Sequence, residues 1–157
     1  MPNRAKPTMT NDQLQVLCER WSQEFFGRPF RHRIVFNSRL RTTGGRYHLG
    51  DHHIDINPLM YQEFDLNTLR GVVLHELCHY HLHLMGRDYR HRSRDFQNLL
   101  RAVGGSRYAP PTSKARQGKY LYRCSGCGMT IRRQRRFNVR RYVCRRCGHH
   151  FRLISTK

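Results

Sequence analysis

The chain has 157 residues, of which 30 are Lys or Arg and 10 are Asp or Glu, for a net charge of +20. That length suits one modest domain, or a small domain with a stapled appendage. The 38 % of apolar residues suffices for a core, but no run approaches the ~18 apolar residues of a membrane-spanning helix and the charged N-terminus precedes no apolar leader, so a cytoplasmic protein that does not enter the membrane is expected.

Thr10 opens the first predicted helix, with Gln13 three residues on as a capping-box partner. Leu14, Leu17, Cys18, Trp21 and Phe25 recur at helical spacing before Gly27 and Pro29 end it. Residues 33–36 read as a strand, 41–45 as a turn, and 46–49 and 54–57 as two further strands, the last stopped by Pro58. A second helix is predicted from about Asp65–Thr68 to Met85, stopped by Gly86. A third begins near Ser93, shows Phe96, Leu99, Leu100 and Val103 on one face, and ends at Gly104. Residues 105–119 have linker composition, and 120–157 read as short strands around cysteine pairs. The expected architecture is α+β: a domain of helices and a small antiparallel sheet over 1–104, a linker over 105–119, and a small C-terminal module over 120–157.

His75-Glu76-Leu77-Cys78-His79 lies within the second predicted helix. Residues four apart share a helix face, so both imidazoles reach one cation. Glu76 is rotated by about 100° from His75 and is free to act as a base toward water. A zinc ion is the cation this pattern suits. His83 continues the face, but eight residues of helix rise by about 12 Å, too far for one ion. The third ligand must therefore return from elsewhere. His91, beyond the Gly86 stop, is the foremost candidate; Asp95 and Glu63 are alternatives, and His48, His52 and His53 read as surface or supporting residues. Cys78 reads as a small core residue rather than a nucleophile.

The stretch His75–Leu84 with Gly86, His91 and Asp95-Phe96, together with Arg39–Tyr47 and Ile54–Pro58, resembles the bacterial SprT-like proteins, over nearly the whole chain. The wider family includes Spartan, a eukaryotic protease that degrades proteins crosslinked to DNA. The resemblance implies a minimal zincin-like fold, zinc on His75, His79 and His91, and Glu76 as the catalytic residue. It also implies DNA-linked proteolysis as an expected role. One departure is that Phe96 follows His91 by five residues, where the Spartan pattern has its aromatic at four.

Cys124-x-x-Cys127-Gly and Cys144-x-x-Cys147-Gly are separated by sixteen residues, the spacing of a four-cysteine zinc site. A piece of this size has too little core to fold alone, so a structural zinc is expected to stabilise it as a ribbon. Its expected strands are 120–123, 129–133, 139–143 and 151–154. All ten acidic residues lie at or before Asp95, whereas residues 105–157 carry fifteen basic residues and no acid. Arg132, Arg133, Arg135, Arg136, Arg140 and Arg141 cluster between the cysteine pairs, with Phe137 and Tyr142 among them. Arginine forks fit phosphate and aromatic rings stack on unpaired bases, so sequence-nonspecific nucleic acid, DNA above all, is the expected partner. Two functions follow: a zinc endopeptidase that acts on protein substrates near nucleic acid, or a nucleic-acid-binding ribbon protein whose first domain is structural or regulatory.

Overall fold

The computed structural model describes residues 6–156; residues 1–5, read above for a leader, and Lys157 lie outside the described residues. The chain divides into two compact units, Met1–Pro110 and Pro111–Lys157. The fold is α+β, helices with small sheets, and among the described residues no helix is long and apolar enough to cross a membrane.

Unit 1 begins with α1 (Asn11–Phe26). Its capping box forms as expected: Thr10 Oγ1 accepts from the Gln13 N–H at 3.2 Å and the Gln13 side chain accepts from the Thr10 N–H at 2.9 Å. Gly27, at φ 64°, closes the helix in the left-handed region. Three strands follow, β1 (Ile34–Phe36), β2 (Gly45–Tyr47) and β3 (Ile54–Ile56), in the order β1-β3-β2. The sheet is mixed rather than wholly antiparallel, because β3 pairs parallel with β1 and antiparallel with β2. The β1 edge is sealed by α1 side chains: the Ile34 and Phe36 N–H groups donate to Gln15 Oε1 at 3.0 Å and Asn11 Oδ1 at 2.9 Å. Among the described residues no further strand pairs with the other edge, β2.

A short α2 (Leu59–Gln62), not anticipated from the sequence, follows Pro58. The long α3 (Leu66–Leu84) is capped by Asp65, whose carboxylate accepts from the Thr68 N–H at 2.7 Å. It is buried on most sides, with Leu69, Val72, Val73, Leu74, Leu77, Cys78 and Leu82 all in the core. The amphipathic α4 (Arg94–Val103) turns Phe96, Leu100 and Val103 inward and is capped by Ser93. Cys78 is fully buried and its thiol is pushed up to about 12 by that burial, so it packs as a core residue.

The segment 105–119 divides between the units. Ser106 packs against α3 so closely that a Cβ at Gly71 would meet its Oγ at 2.1 Å. The Ser106 N–H donates to the Gly71 carbonyl at 3.0 Å. Farther on, α5 (Ser113–Arg116) forms one capped turn within unit 2.

Unit 2 holds an antiparallel sheet, β4 (Tyr120–Cys124), β5 (Thr130–Arg133) and β6 (Phe151–Thr156), in the order β5-β4-β6. The strand expected at 139–143 does not form. Asn138 instead makes a turn: its Oδ1 accepts from the Arg140 N–H at 2.9 Å and its carbonyl from the Arg141 N–H at 3.1 Å. Only Val143 bridges to a neighbouring strand segment, at His150.

Candidate metal centre and active site

Helix α3 delivers His75 and His79 from one face, one turn apart. The second nitrogen of each ring is engaged by backbone: His75 Nδ1–H donates to the Ser106 carbonyl at 2.7 Å and His79 Nδ1–H to the Tyr89 carbonyl at 2.6 Å. A carbonyl only accepts, so both Nδ1 atoms carry the proton and both Nε2 atoms present bare lone pairs. Those lone pairs face each other at 3.3 Å. His91 Nε2 completes a triangle at 2.9 Å from His75 Nε2 and 3.0 Å from His79 Nε2.

Hydrogen bonds among the three rings cannot satisfy this arrangement. His91 has at most one proton to give, and the other two facing atoms have none. A cation at the centre resolves the repulsion. The spacing accords with it, since nitrogens bound tetrahedrally at about 2.1 Å from zinc stand about 3.4 Å apart. Burial, with the neighbouring imidazoles adding, lowers His75 and holds His79 down to about 4, so both are neutral and ready to bind metal at ordinary pH. The carbonyl acceptors are the orienting partners that metal-binding histidines usually have.

His91 reaches the triangle from the loop between α3 and α4. Asp88 organises that loop: its carboxylate accepts from the Arg90 N–H at 3.1 Å and pairs with Arg90 Nη2 at 2.7 Å, while its carbonyl accepts from Ser93 Oγ at 2.8 Å. Phe96 packs against all three imidazoles, with ring centroids 5.1, 4.4 and 5.1 Å from His75, His79 and His91. The other residues weighed as ligands have other partners. Asp95 pairs with Arg87 at 3.2 Å, and Glu63 ends α2. His83 and His52 each bond the Tyr47 hydroxyl at 2.7 Å. His48 bonds Asp55 at 2.9 Å, and His53 stacks on His48.

Glu76 lies beside the triangle, buried against β2. A Cβ at Gly45 would come within 2.9 Å of the Glu76 Cγ, so only glycine lets the carboxylate sit there. Burial raises the Glu76 carboxyl to about 8, opposed by the Tyr47 N–H and the Arg46 charge. The histidines and Glu76 line one open groove of about 1030 Å³, walled by β2, α4 and residues 105–109.

In unit 2 the four cysteine sulfurs lie within 4.8 Å of one another. Cys124 and Cys147 stand 3.3 Å apart and Cys127 and Cys144 3.7 Å, near the roughly 3.8 Å between sulfurs sharing a tetrahedral zinc. Each pair sits on a tight turn closed by glycine. Gly128 and Gly148, at φ 74° and 77°, donate to the Cys124 and Cys144 carbonyls at 3.2 and 2.8 Å. Arg132, Arg133, Arg135, Arg136, Arg140 and Arg141 are all exposed. Among the described residues none of them pairs with a carboxylate. Phe137, expected as a stacking ring, packs into the ribbon core 4.2 Å from the Tyr122 ring, whereas Tyr142 remains 53 % exposed.

Sequence reasoning did not find the Ser106 and Tyr89 carbonyls or the role of Phe96. Backbone acceptors leave no residue-type signature, and Ser106 sits in a stretch of linker composition.

Taken together, the chain is a small α+β protein with a three-histidine cluster on a helix and the loop after it, followed by a four-cysteine ribbon module. Residues 14–115 match the SprT-like family, and residues 118–155 match the SprT-like zinc ribbon domain. The chain therefore belongs to the SprT-like family. It is 55 % identical over 148 residues to the Protein SprT-like of Lactiplantibacillus plantarum, covering 93 % of this chain and 100 % of the relative. It is 53 % identical over 142 residues to that of Geobacillus kaustophilus, covering 88 % and 95 %. With the Enterococcus faecalis protein of the same name it shares 49 % identity over 140 residues, covering 88 % and 92 %.

Proposed function

We propose that this protein is a zinc-dependent endopeptidase that acts near nucleic acid in the cytoplasm, with DNA-bound or DNA-crosslinked proteins as its substrates. The observation that carries the reading is the pair of bare imidazole nitrogens facing each other at 3.3 Å, with His91 closing the triangle beside a buried carboxylate in an open groove. His75, His79 and His91 would hold the ion. Zinc so bound supplies electrophilic activation of a carbonyl and of water. The charge of a bound ion would draw the buried Glu76 carboxyl back to its ionised form, in which it would take a proton from the attacking water and pass it to the leaving amine. The groove walls hold the polypeptide while β2 and α4 keep Glu76 and the histidines in register. The ribbon binds its own zinc through Cys124, Cys127, Cys144 and Cys147, and its exposed arginines grip phosphate without reading sequence.

The test compares wild type with Glu76→Gln on a protein crosslinked to single-stranded DNA. Cleavage is expected to fall by about 10²–10⁴-fold in the variant, with metal content unchanged at about two zinc ions per chain. Equal cleavage by both removes the mechanism. A second reading, a nucleic-acid-binding protein with a structural or regulatory first unit, draws on the six exposed ribbon arginines that lack carboxylate partners. It is the reading left standing if salt-sensitive DNA binding persists and no Glu76-dependent cleavage is found.

A further inference from the structure

The groove around the three histidines carries a one-sided charge. Arg46 on β2, Arg90 and Arg92 on either side of His91, Arg101 on α4 and Arg107 beyond Ser106 all line it. The one carboxylate in that lining is Glu76, which is buried. Composition does not force this segregation, because unit 1 contains all ten acidic residues of the chain. Asp88 neutralises one of the five groove arginines, Arg90; Asp95 pairs with Arg87, Asp51 and Asp55 with histidines, and Asp65 caps α3. Arg46, Arg92, Arg101 and Arg107 are exposed, and among the described residues none of them forms an ion pair.

We infer that this groove selects polypeptide segments bearing acidic side chains on either side of the bond presented to the three histidines. The inference rests on the peptidase reading above. Guanidinium groups engage carboxylates as two-pronged forks and repel lysine and arginine, so the same residues attract one class of segment and reject the other. The field of several unpaired arginines in a concave wall also raises the local concentration of acidic segments. A polypeptide is favoured over nucleic acid because the groove is bordered by β2, an edge strand whose outer side carries no further strand among the described residues; of its outward groups the Tyr47 N–H is taken by Glu76. An extended backbone pairs with such an edge, and a sugar-phosphate chain does not.

The experiment uses the full-length, zinc-loaded protein and three quenched fluorescent peptides with one central sequence and flanks of Asp/Glu, Ser or Lys/Arg. The acidic-flanked peptide is expected to show a kcat/KM about tenfold above the basic-flanked one at low salt, a gap that closes as ionic strength rises. Arg101→Glu/Arg107→Glu is expected to invert the order of the acidic- and basic-flanked peptides. Equal rates on all three peptides, or a preference for basic flanks, overturns the inference. So does a single-stranded oligonucleotide whose affinity falls more on Arg101→Glu/Arg107→Glu than that of the acidic peptide, which makes the groove a nucleic-acid surface. Binding of the same peptides to Glu76→Gln, read by fluorescence anisotropy, separates the two readings. Arg101- and Arg107-dependent preference for acidic peptide, without Glu76-dependent cleavage by wild type, removes the peptidase and keeps the charge selection. Glu76-dependent cleavage without charge preference does the reverse.

Discussion

The two candidate metal centres of this chain are built in opposite ways. In unit 1 the donors hang from a fold that exists for other reasons: α3 is held by a core running from Leu14 to Val103, and His75 and His79 are two of its side chains. In unit 2 the donors are themselves the core. Its buried cluster is Tyr122, Cys124, Cys144 and Phe151, so two of four members are cysteines of the metal site. The first centre offers three nitrogens and opens on a groove, while the second offers four sulfurs on two closed turns. A centre with an open position suits chemistry and a closed one suits structure. Metal loss is therefore expected to leave unit 1 folded and to unfold unit 2.

Chelation of the ribbon zinc is the sharpest way to break that contrast. Structural four-thiolate sites contribute about 10–16 kcal/mol of apparent binding energy to folding. Amide resonances of β4–β6 are expected to collapse toward random-coil shifts, while those of α1 and α3 keep their dispersion. A ribbon that stays folded without metal would erase the distinction.

Phe96 tests unit 1 from the other side. It is buried and touches all three imidazoles. Phe96→Ala is expected to cost about 3–5 kcal/mol in denaturant unfolding of unit 1. It should also weaken zinc at the three-histidine centre by about tenfold or more, with ribbon zinc unchanged. Unaltered affinity at the first centre would mean that the carbonyl acceptors alone orient the rings.

A smaller effect is expected with pH. His81 is buried on α3, and its Nε2–H donates at 2.8 Å to Ser22 Oγ, whose own proton goes to the Arg28 carbonyl. Burial, with the Arg28 charge adding, lowers it to about 4. The unfolded chain binds that proton near pH 6.5 and the folded chain only near 4, so this contribution is intact above 6.5 and is lost as pH falls toward 4. The loss amounts to at most about 3 kcal/mol. His81→Gln, which keeps a donor toward Ser22, should flatten the melting temperature of unit 1 between pH 6.5 and 4 relative to wild type, and parallel curves would refute this. Unit 2 has no counterpart to this buried imidazole among its described residues, since His149 and His150 are exposed.

The smallest change sought is in unit 2. Arg140→Ala/Arg141→Ala should reduce the salt slope of DNA binding by about 1.5 while leaving both metals in place. An unchanged slope would move the phosphate contacts elsewhere on the chain.

Much of this was legible in the sequence where the relevant spacing is local. The α1 capping box, the Gly27 and Gly86 stops and the shared face of His75 and His79 each span five residues or fewer, or a single residue type with a fixed conformational cost. The cysteine pairs are of the same kind. The return of His91 was legible as a candidate because Gly86 ends the helix before it. The strand expected at 139–143 failed because the Asn138 side chain supplies the hydrogen bonds a ladder would have supplied. The role of 105–109 was hidden because Ser106 meets His75 31 positions away in the chain, and turn-like composition says nothing about such a meeting.

From the sequence alone came the donor types, their spacing along one helix and one pair of turns, and the charge imbalance between the two halves of the chain. Those are properties of neighbouring residues, and helix pitch and turn geometry translate them directly. Tertiary structure alone decided which ring nitrogens are bare, because that depends on distant carbonyls accepting the other protons. It alone gathered unpaired arginines from β2, the α3–α4 loop, α4 and the segment beyond it into one groove. Charges that far apart in sequence share a field only after folding places them around the same cavity.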